Sequence, residues 1–368
     1  MNRSLVPPYI TSMEPYVTGL SIEEVRKRYG LKHVVKLASN ENPAGSSPLA
    51  LEAAKVVLAG SNRYPDGGLA LREKLADQFN VRLENVIAGA GSEGIMADIV
   101  RTFLCDDDEI LASEGTFPSM RVLAKSRGVA YRTVPMLNWE FDLPGIAAAI
   151  TPRTKLIYLP NPNNPTGTIF TTRQFEGFHR HVPERVLIIL DEAYFEYARD
   201  PQYPDSLRYR YDNVITLRTF SKVYGLAGLR IGYGFAHQGL IGMLLKVKLP
   251  FEPSSVASAA AIAALDDSTF VDRSIDVNTQ GLRWLTRELQ QLGLQPLDSE
   301  ANFLMVPLPS EQQATNLFQD LLREGVIVRP LKSFGLPSCL RITVGKPEEN
   351  ALCVSKLRRI LKAELVLA

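Results

Sequence analysis

Four short segments of this chain hold residue types that can act on a carbonyl or an amine. TFSKVYGLAGLRIGY (219–233) places Lys222 among hydroxyls and glycines, with Thr219 and Ser221 beside it and Arg230 eight residues on. DEAY (191–194) opens with Asp191 directly after the apolar run VLIIL. A carboxylate at the end of a buried strand is costly unless a cation or an N–H meets it. NPNNPTG (161–167) follows KLIYLP, and its prolines and glycine fix a turn that can aim the amide of Asn164 at a ligand oxygen. GAGSEG (89–94) leaves VIAGA and opens a helical pattern. There Gly91, Ser92 and Glu93 offer backbone N–H groups at a helix N-terminus, a cradle for an anion.

Each segment alone has a plain structural explanation: a tight turn, a rigid proline loop, a salt-bridged aspartate, a solvated lysine. Together, in this order, they meet the needs of one cofactor, pyridoxal 5′-phosphate (PLP). That cofactor requires a lysine amine for its aldehyde, an acid opposite the pyridine nitrogen, donors for the phenolate oxygen and a phosphate cup. The expectation is a Schiff base on Lys222 that exchanges with an incoming amine. Asp191 then keeps the ring nitrogen protonated, so that the ring accepts electrons as the Cα proton leaves. The freed Lys222 amine moves that proton as general base and acid. A second oxo acid reverses the steps in a ping-pong cycle.

The elements that must position these groups are short β-branched runs separated by helical patterns. VIAGA (86–90), EILAS (109–113), AYRTVPM (130–136), KLIYLP (155–160), VLIIL (186–190), NVITLRT (213–219) and IGYGFA (231–236) read as strands. Their alternation with helices implies an α/β fold, with right-handed crossovers and a mostly parallel seven-stranded sheet between helices. Ligands of such a sheet sit outside the carboxyl ends of its strands, where these motifs fall. Before the sheet, residues 1–20 read as an extended arm, and Ser21 caps a helix with Glu24 in capping-box position and Gly30 at its end. After residue 250 a long helical stretch runs from about Ser255 to Leu292. ANFLMVPL, GVIVRP and CLRITVG then read as strands, and a last helix starts at Glu348. The expected division is an N-terminal arm and helix (1–35) that packs with the small domain, a large cofactor-binding domain (36–250) and a smaller C-terminal α+β domain (251–368).

A length of 368 residues fits about two domains. Lys plus Arg (41) nearly balances Asp plus Glu (40), so no electrostatic argument favours nucleic acid or an anionic membrane as partner. Cys105, Cys339 and Cys353 lie far apart, and their odd number argues against a disulfide framework. His179 and His181, the only close histidine pair, lack the further ligands a metal needs and read as exposed residues between a helix and a strand, so no metal is expected. No apolar run reaches the ~18 residues of a membrane span. The start, MNRSLVPPYI, lacks the apolar core of a secretory signal, so the expected compartment is cytoplasmic.

LASNENPAG (37–45), RYPDG (63–67), NPNNPTG, DEAYFEY, RTFSKVYGLAGLRIGY and CLRITVG (339–345) follow one another as in a known family. The chain resembles the fold-type I PLP enzymes, the aspartate aminotransferase superfamily, and within it the histidinol-phosphate aminotransferase branch. That resemblance spans nearly the whole chain. It implies amino transfer from histidinol phosphate to 2-oxoglutarate, giving imidazole-acetol phosphate and glutamate, in histidine biosynthesis. It also implies roles. Lys222 holds the cofactor and Asp191 pairs with the pyridinium nitrogen. Asn164 and Tyr194 bind the phenolate oxygen, and Phe117 stacks on the ring. Ser92 with the neighbouring amides, Thr219, Ser221 and Arg230 hold the phosphate. Tyr64 reaches the phosphate of the neighbouring subunit's cofactor, which implies a homodimer. Arg341 binds the substrate's distal anion, with Asn42, Tyr16 and Arg329 nearby. Three positions depart from the branch: Gly91-Ser92-Glu93-Gly94 for Gly-Ser-Asp-Glu, Phe117 for a common Tyr, and Glu252-Pro253 within PFEPSSVAS. The rival readings are an aromatic, phenylalanine-type aminotransferase and a PLP-dependent decarboxylase of a phosphorylated amino acid. A PLP-sensing module of a transcription regulator would require a basic DNA-binding domain ahead of the fold.

Overall fold

The computed structural model describes residues 5–15, 19–209 and 211–367. Its strands in chain order are β1 (Val35–Lys36), β2 (Val86–Gly89), β3 (Glu109–Ser113), β4 (Ala130–Val134), β5 (Thr154–Pro160) and β6 (Leu187–Asp191), then β7 (Val214–Thr219), β8 (Gly232–Phe235), β9 (Phe303–Pro307), β10 (Val326–Ile327), β11 (Arg329–Pro330) and β12 (Cys339–Thr343). The apolar runs between residues 86 and 236 form one seven-stranded sheet of order β2-β8-β7-β6-β5-β3-β4. All its pairings are parallel except those of β8, which lies antiparallel to both β2 and β7. Alternate residues of each run enter different core clusters. In β6, Leu187 and Ile189 pack on one face, and Ile188 and Leu190 on the other. Burial on both faces is why these runs are continuously apolar rather than alternating. The chain has the expected α/β fold with a mostly parallel seven-stranded sheet.

The helix signals hold at the N-terminal side. Ser21 accepts from the Glu24 N–H to start the helix Ile22–Tyr29, and Gly30 ends it in the left-handed region at φ 65°. Val25 of that helix packs with Leu322 and Ile327, and Leu37 lies in one cluster with Leu304, Ile342 and Leu357. β1 pairs with β10, and β11-β12-β9 form a separate antiparallel sheet.

Three details differ from the sequence reading. Pro8–Thr11 makes one helical turn inside the expected extended arm, with proline at its start, where a missing N–H costs nothing. The stretch from 255 to 292 is two helices, Ser255–Leu265 and Ser268–Gln291, because the Asp267 side chain accepts from the Phe270 N–H and caps the second. His179 is half-buried, not exposed. It ends the helix Thr172–His179, stacks on Tyr211 at 3.6 Å and lies 3.0 Å from Asn213 Oδ1 through Nε2. His181 is exposed. Among the described residues, no cluster of three or more His, Cys, Asp or Glu could hold a metal, and no helix is long and apolar enough to cross a membrane.

Candidate active site

A cavity of about 480 Å³ lies at the carboxyl ends of β5, β6 and β7, between the start of the helix Gly91–Phe103 and the small antiparallel sheet. At one end is an anion cradle. The Gly91–Phe103 helix has no side-chain cap at Ala90, so its first N–H groups remain available to a ligand. Gly91 turns at φ 80°, and a Cβ there would sit 2.9 Å from Arg230 Nη2. A Cβ on Gly232 of β8 would meet Ser92 N at 2.5 Å. The two glycines thus let the cradle close tightly over the sheet. Arg230, itself left-handed at φ 52°, donates through Nη1 to Ser221 Oγ (3.4 Å) and Ala227 O (3.2 Å). Its Nη2 pairs with Glu93 Oε2 at 3.2 Å, and Ser119 Oγ donates to the other Glu93 oxygen. Thr219 Oγ1 donates to Ser221 Oγ at 3.0 Å and accepts from the Ser221 N–H at 3.1 Å.

At the middle of the cavity, β6 ends in Asp191. Tyr158 of β5 donates to its Oδ2 at 2.8 Å, while Oδ1 is buried with no hydrogen-bond partner. Burial pushes the Asp191 carboxyl up to about 6. The Tyr158 hydrogen bond opposes that rise, the charge of Glu93 adds to it, and the Ala193 N–H and Lys222 oppose it. An orphaned carboxylate oxygen costs ~1–3 kcal/mol, which a cationic N–H placed in the cavity would offset. A protonated pyridine nitrogen meets that description, and the Gly91–Arg230 cradle fits a phosphate, so the residues present suit PLP. Lys222 Nζ lies 5.5 Å from the ring centre of Tyr194. The Tyr194 hydroxyl accepts from Asn40 Nδ2 at 2.7 Å, which leaves its own proton for a ligand. Asn164 accepts through Oδ1 from Arg341 Nη1, so its amide NH₂ is the end left to donate.

The far wall belongs to the small sheet. Arg329 and Arg341 are direct partners in the β11–β12 register, and both line the cavity. Arg341 is buried and donates from Nη2 to Ala38 O at 2.8 Å. The ring of Phe334 lies 5.7 Å from the Arg341 guanidinium carbon and 6.0 Å from that of Arg329. Phe117 faces Phe334 with ring centres 6.4 Å apart.

The structure gathers Ser92, Glu93, Phe117, Asn164, Asp191 and Tyr194 around this one cavity, with Thr219, Ser221, Lys222, Arg230, Arg329 and Arg341. Gly91 is adjacent. Asn42 is elsewhere: its Nδ2 donates to Val223 O (2.7 Å) and Ser274 Oγ (2.9 Å) and its Oδ1 caps Ala44, so the side chain is spent on joining loops. Asn40, two residues earlier, faces the cavity instead. Tyr64 lies outside it, 80% exposed and stacked on Phe251 at 4.2 Å. Glu252-Pro253 is not at the cavity either. Pro253 packs beneath Gly68 of the Tyr64 loop. Tyr16 falls outside the described residues. Asn40, Tyr158 and Phe334 were missed by the sequence reading. Only Asn40 had a signal, its place in the SNEN segment.

The class I and II aminotransferase family matches residues 32–357, and the chain belongs to that family. It is 44% identical over 363 residues to a histidinol-phosphate aminotransferase of Anaeromyxobacter sp. (strain Fw109-5), covering 98% of this chain and 100% of the relative. It is 43% identical to the histidinol-phosphate aminotransferase of Moorella thermoacetica, covering 96% and 92%. Among solved structures, the histidinol-phosphate aminotransferase of Sinorhizobium meliloti in complex with PLP superposes with a TM-score of 0.89 at 29% identity, covering 98% of both chains.

Proposed function

We propose that this PLP-dependent aminotransferase takes histidinol phosphate as amino donor and 2-oxoglutarate as acceptor, releasing imidazole-acetol phosphate and glutamate in histidine biosynthesis. The observation that carries this reading is the pair of cross-strand partners, Arg329 and Arg341, which line the same cavity as Asp191 and Lys222. Planar, forked cations accept either a phosphate ester or a carboxylate, so one wall serves both half-reactions. The similarity to histidinol-phosphate aminotransferases over nearly the full length supports the same donor.

When bound, the cofactor supplies an aldehyde and a ring that accepts the electron pair left by a departing proton. The chain does the rest. Lys222 Nζ would hold the cofactor and carry the proton away from the substrate Cα. Asp191 Oδ1 would hold the proton on the ring nitrogen. Tyr194 and Asn164 would donate to the phenolate oxygen, and Phe117 would pack on the ring. The N–H groups of Ser92 and Glu93, with Thr219, Ser221 and Arg230, would hold the phosphate.

The exposed apolar residues Leu49, Leu51, Val56, Leu58, Leu249 and Phe251, the last stacked on Tyr64, support a homodimer in which Tyr64 reaches the partner's cofactor phosphate. The packing of Val25 with Leu322 and Ile327 supports placing the helix of the N-terminal segment (1–35) with the small domain (251–368), but the boundaries with the large domain (36–250) need moving: Leu37 also packs on the C-terminal core, Tyr9 of the arm lies against Gly128, and Ala257, Ala260 and Ala264 pack with Ala50 and Leu71 of the large domain. A cytoplasmic location goes with this biosynthetic role.

A substrate panel tests the donor: histidinol phosphate against phenylalanine, with 2-oxoglutarate as acceptor and carbon dioxide monitored. Preference for histidinol phosphate without gas release is expected. Preference for phenylalanine, or release of carbon dioxide, would overturn it.

A further inference from the structure

We propose that Tyr158 is a positioning residue for amino transfer: by capping one oxygen of Asp191, it decides on which side of the Asp191–ring-nitrogen hydrogen bond the proton rests. The inference builds on the PLP reading above and concerns a residue to which that reading gives no part.

The geometry begins in the sheet. Tyr158 pairs with Ile189 in the parallel β5–β6 ladder, and Asp191 lies two residues beyond Ile189 on the same face. That diagonal offset brings a tyrosine hydroxyl within reach of the carboxylate. The phenol is 0% exposed, packed among Leu156, Ile189 and Leu217, and its hydroxyl hydrogen bond is the one to Asp191 Oδ2 at 2.8 Å. A phenylalanine would fill that space without having to satisfy a buried hydroxyl. Burial, with the Asp191 charge beside it, holds the Tyr158 phenol well above its usual range, so the proton stays on the tyrosine and Tyr158 acts only as donor.

The two oxygens of Asp191 therefore have different fates. Oδ2 is occupied by Tyr158, and Oδ1 of this cavity-lining residue is buried without a hydrogen-bond partner. A carboxylate that already accepts one strong hydrogen bond is a weaker base at its other oxygen. The other groups that bear on this carboxylate are Glu93 from the Gly91–Phe103 helix, which makes it more basic, and Lys222 beyond β7 and the Ala193 N–H, which make it less so. Tyr131 of β4 lies behind Tyr158 and bears on its phenol. Of the groups that oppose protonation of Asp191, Tyr158 contributes most. With Tyr158 present, the shared proton rests on the ring nitrogen, where it makes the ring an electron acceptor. Without it, the proton shifts to the carboxyl.

The test is Tyr158→Phe, which removes one oxygen and keeps the ring. The holoenzyme is loaded with cofactor labelled with ¹⁵N at the ring nitrogen. The wild-type signal is expected at the protonated position, and the variant's should shift toward that of the unprotonated ring. In parallel, kcat falls ~10-fold or more while both KM values stay within ~2-fold. Tyr158→His, which keeps a ring N–H donor, should return the nitrogen signal toward wild type, and Tyr158→Met, which also lacks the hydroxyl, takes the place of the Phe variant if that one does not fold. A nitrogen signal identical to wild type in the variant overturns the inference, whatever happens to kcat or stability. Wild-type protein that binds no PLP overturns the functional reading instead, so the two failures are distinct.

Discussion

Arg329 stands directly opposite Arg341 in the β11–β12 register, with Phe334 near both guanidiniums. Two forked cations on one wall hold an anionic group more tightly than either alone. Arg329→Gln should therefore raise KM for donor and acceptor at least ~10-fold. Steady-state kinetics check it. Unchanged KM values would remove Arg329 from substrate binding.

Arg341 has a second duty, since it also fixes Asn164 and Ala38 O. Arg341→Lys keeps the charge but loses the fork, so kcat should fall along with substrate affinity, by ~100-fold together in kcat/KM. A lysine variant within ~3-fold of wild type would show that a point charge suffices.

Asp191 gives a pH signature in the apoprotein. Its carboxyl sits near 6 in the folded chain because of burial, above the ordinary 3.8. The protonated form favours the fold, so this contribution is full below about pH 4 and is lost as pH rises through about 6. Relative to Asp191→Asn, the wild-type apoprotein should lose roughly 2–3 kcal/mol between pH 4 and pH 7. Unfolding curves of the two proteins at several pH values measure it, and a constant difference contradicts it. In the loaded enzyme, the same substitution should cost at least ~100-fold in kcat.

Gly91→Ala should weaken cofactor binding by ~10-fold or more, since a methyl group there meets Arg230 Nη2 and the φ of 80° strains any L side chain. Fluorescence titration of the apoprotein with PLP reads this out, and unaltered affinity would mean that the cradle lies elsewhere.

Next to Asp191, Glu192 is paired with Arg218 at 2.8 Å, and both side chains are 2% exposed. The Arg218 guanidinium carbon also lies 3.4 Å from the ring centre of Phe195. Arg218→Met leaves the buried Glu192 carboxylate only the Ser206 N–H and should cost ~3–5 kcal/mol, part of it recovered in Arg218→Met/Glu192→Met, which still leaves Asp205 without Arg218. Denaturant midpoints of the two variants decide. A single variant as stable as wild type would contradict the account.

The large sheet was legible because strands buried on both faces leave unbroken apolar runs, and the loops after them carried Lys222, Asp191 and Asn164 in plain view. What escaped depended on contacts between distant segments. VLIIL and KLIYLP gave no hint that Tyr158 would lie diagonal to Asp191, because a tyrosine inside an apolar strand reads as core. Asn42 and Asn40 share one short segment, and which of them faces the cavity follows from the left-handed turn at Asn40 (φ 55°), which the letters SNEN do not fix. The break at Asp266 and Asp267 was written in the sequence as a capping residue inside a helical pattern. The antiparallel course of β8 was hidden because its run of residues resembles those of its parallel neighbours.

The central claim is that the Lys222 amine takes up a phosphorylated aldehyde with Asp191 behind its ring. Borohydride reduction of the PLP-loaded protein, followed by peptide mapping, tests it most directly. The account predicts a stable pyridoxyl label on Lys222 alone, absent from Lys222→Ala. Label on another lysine, or none on a protein that transaminates, would contradict it.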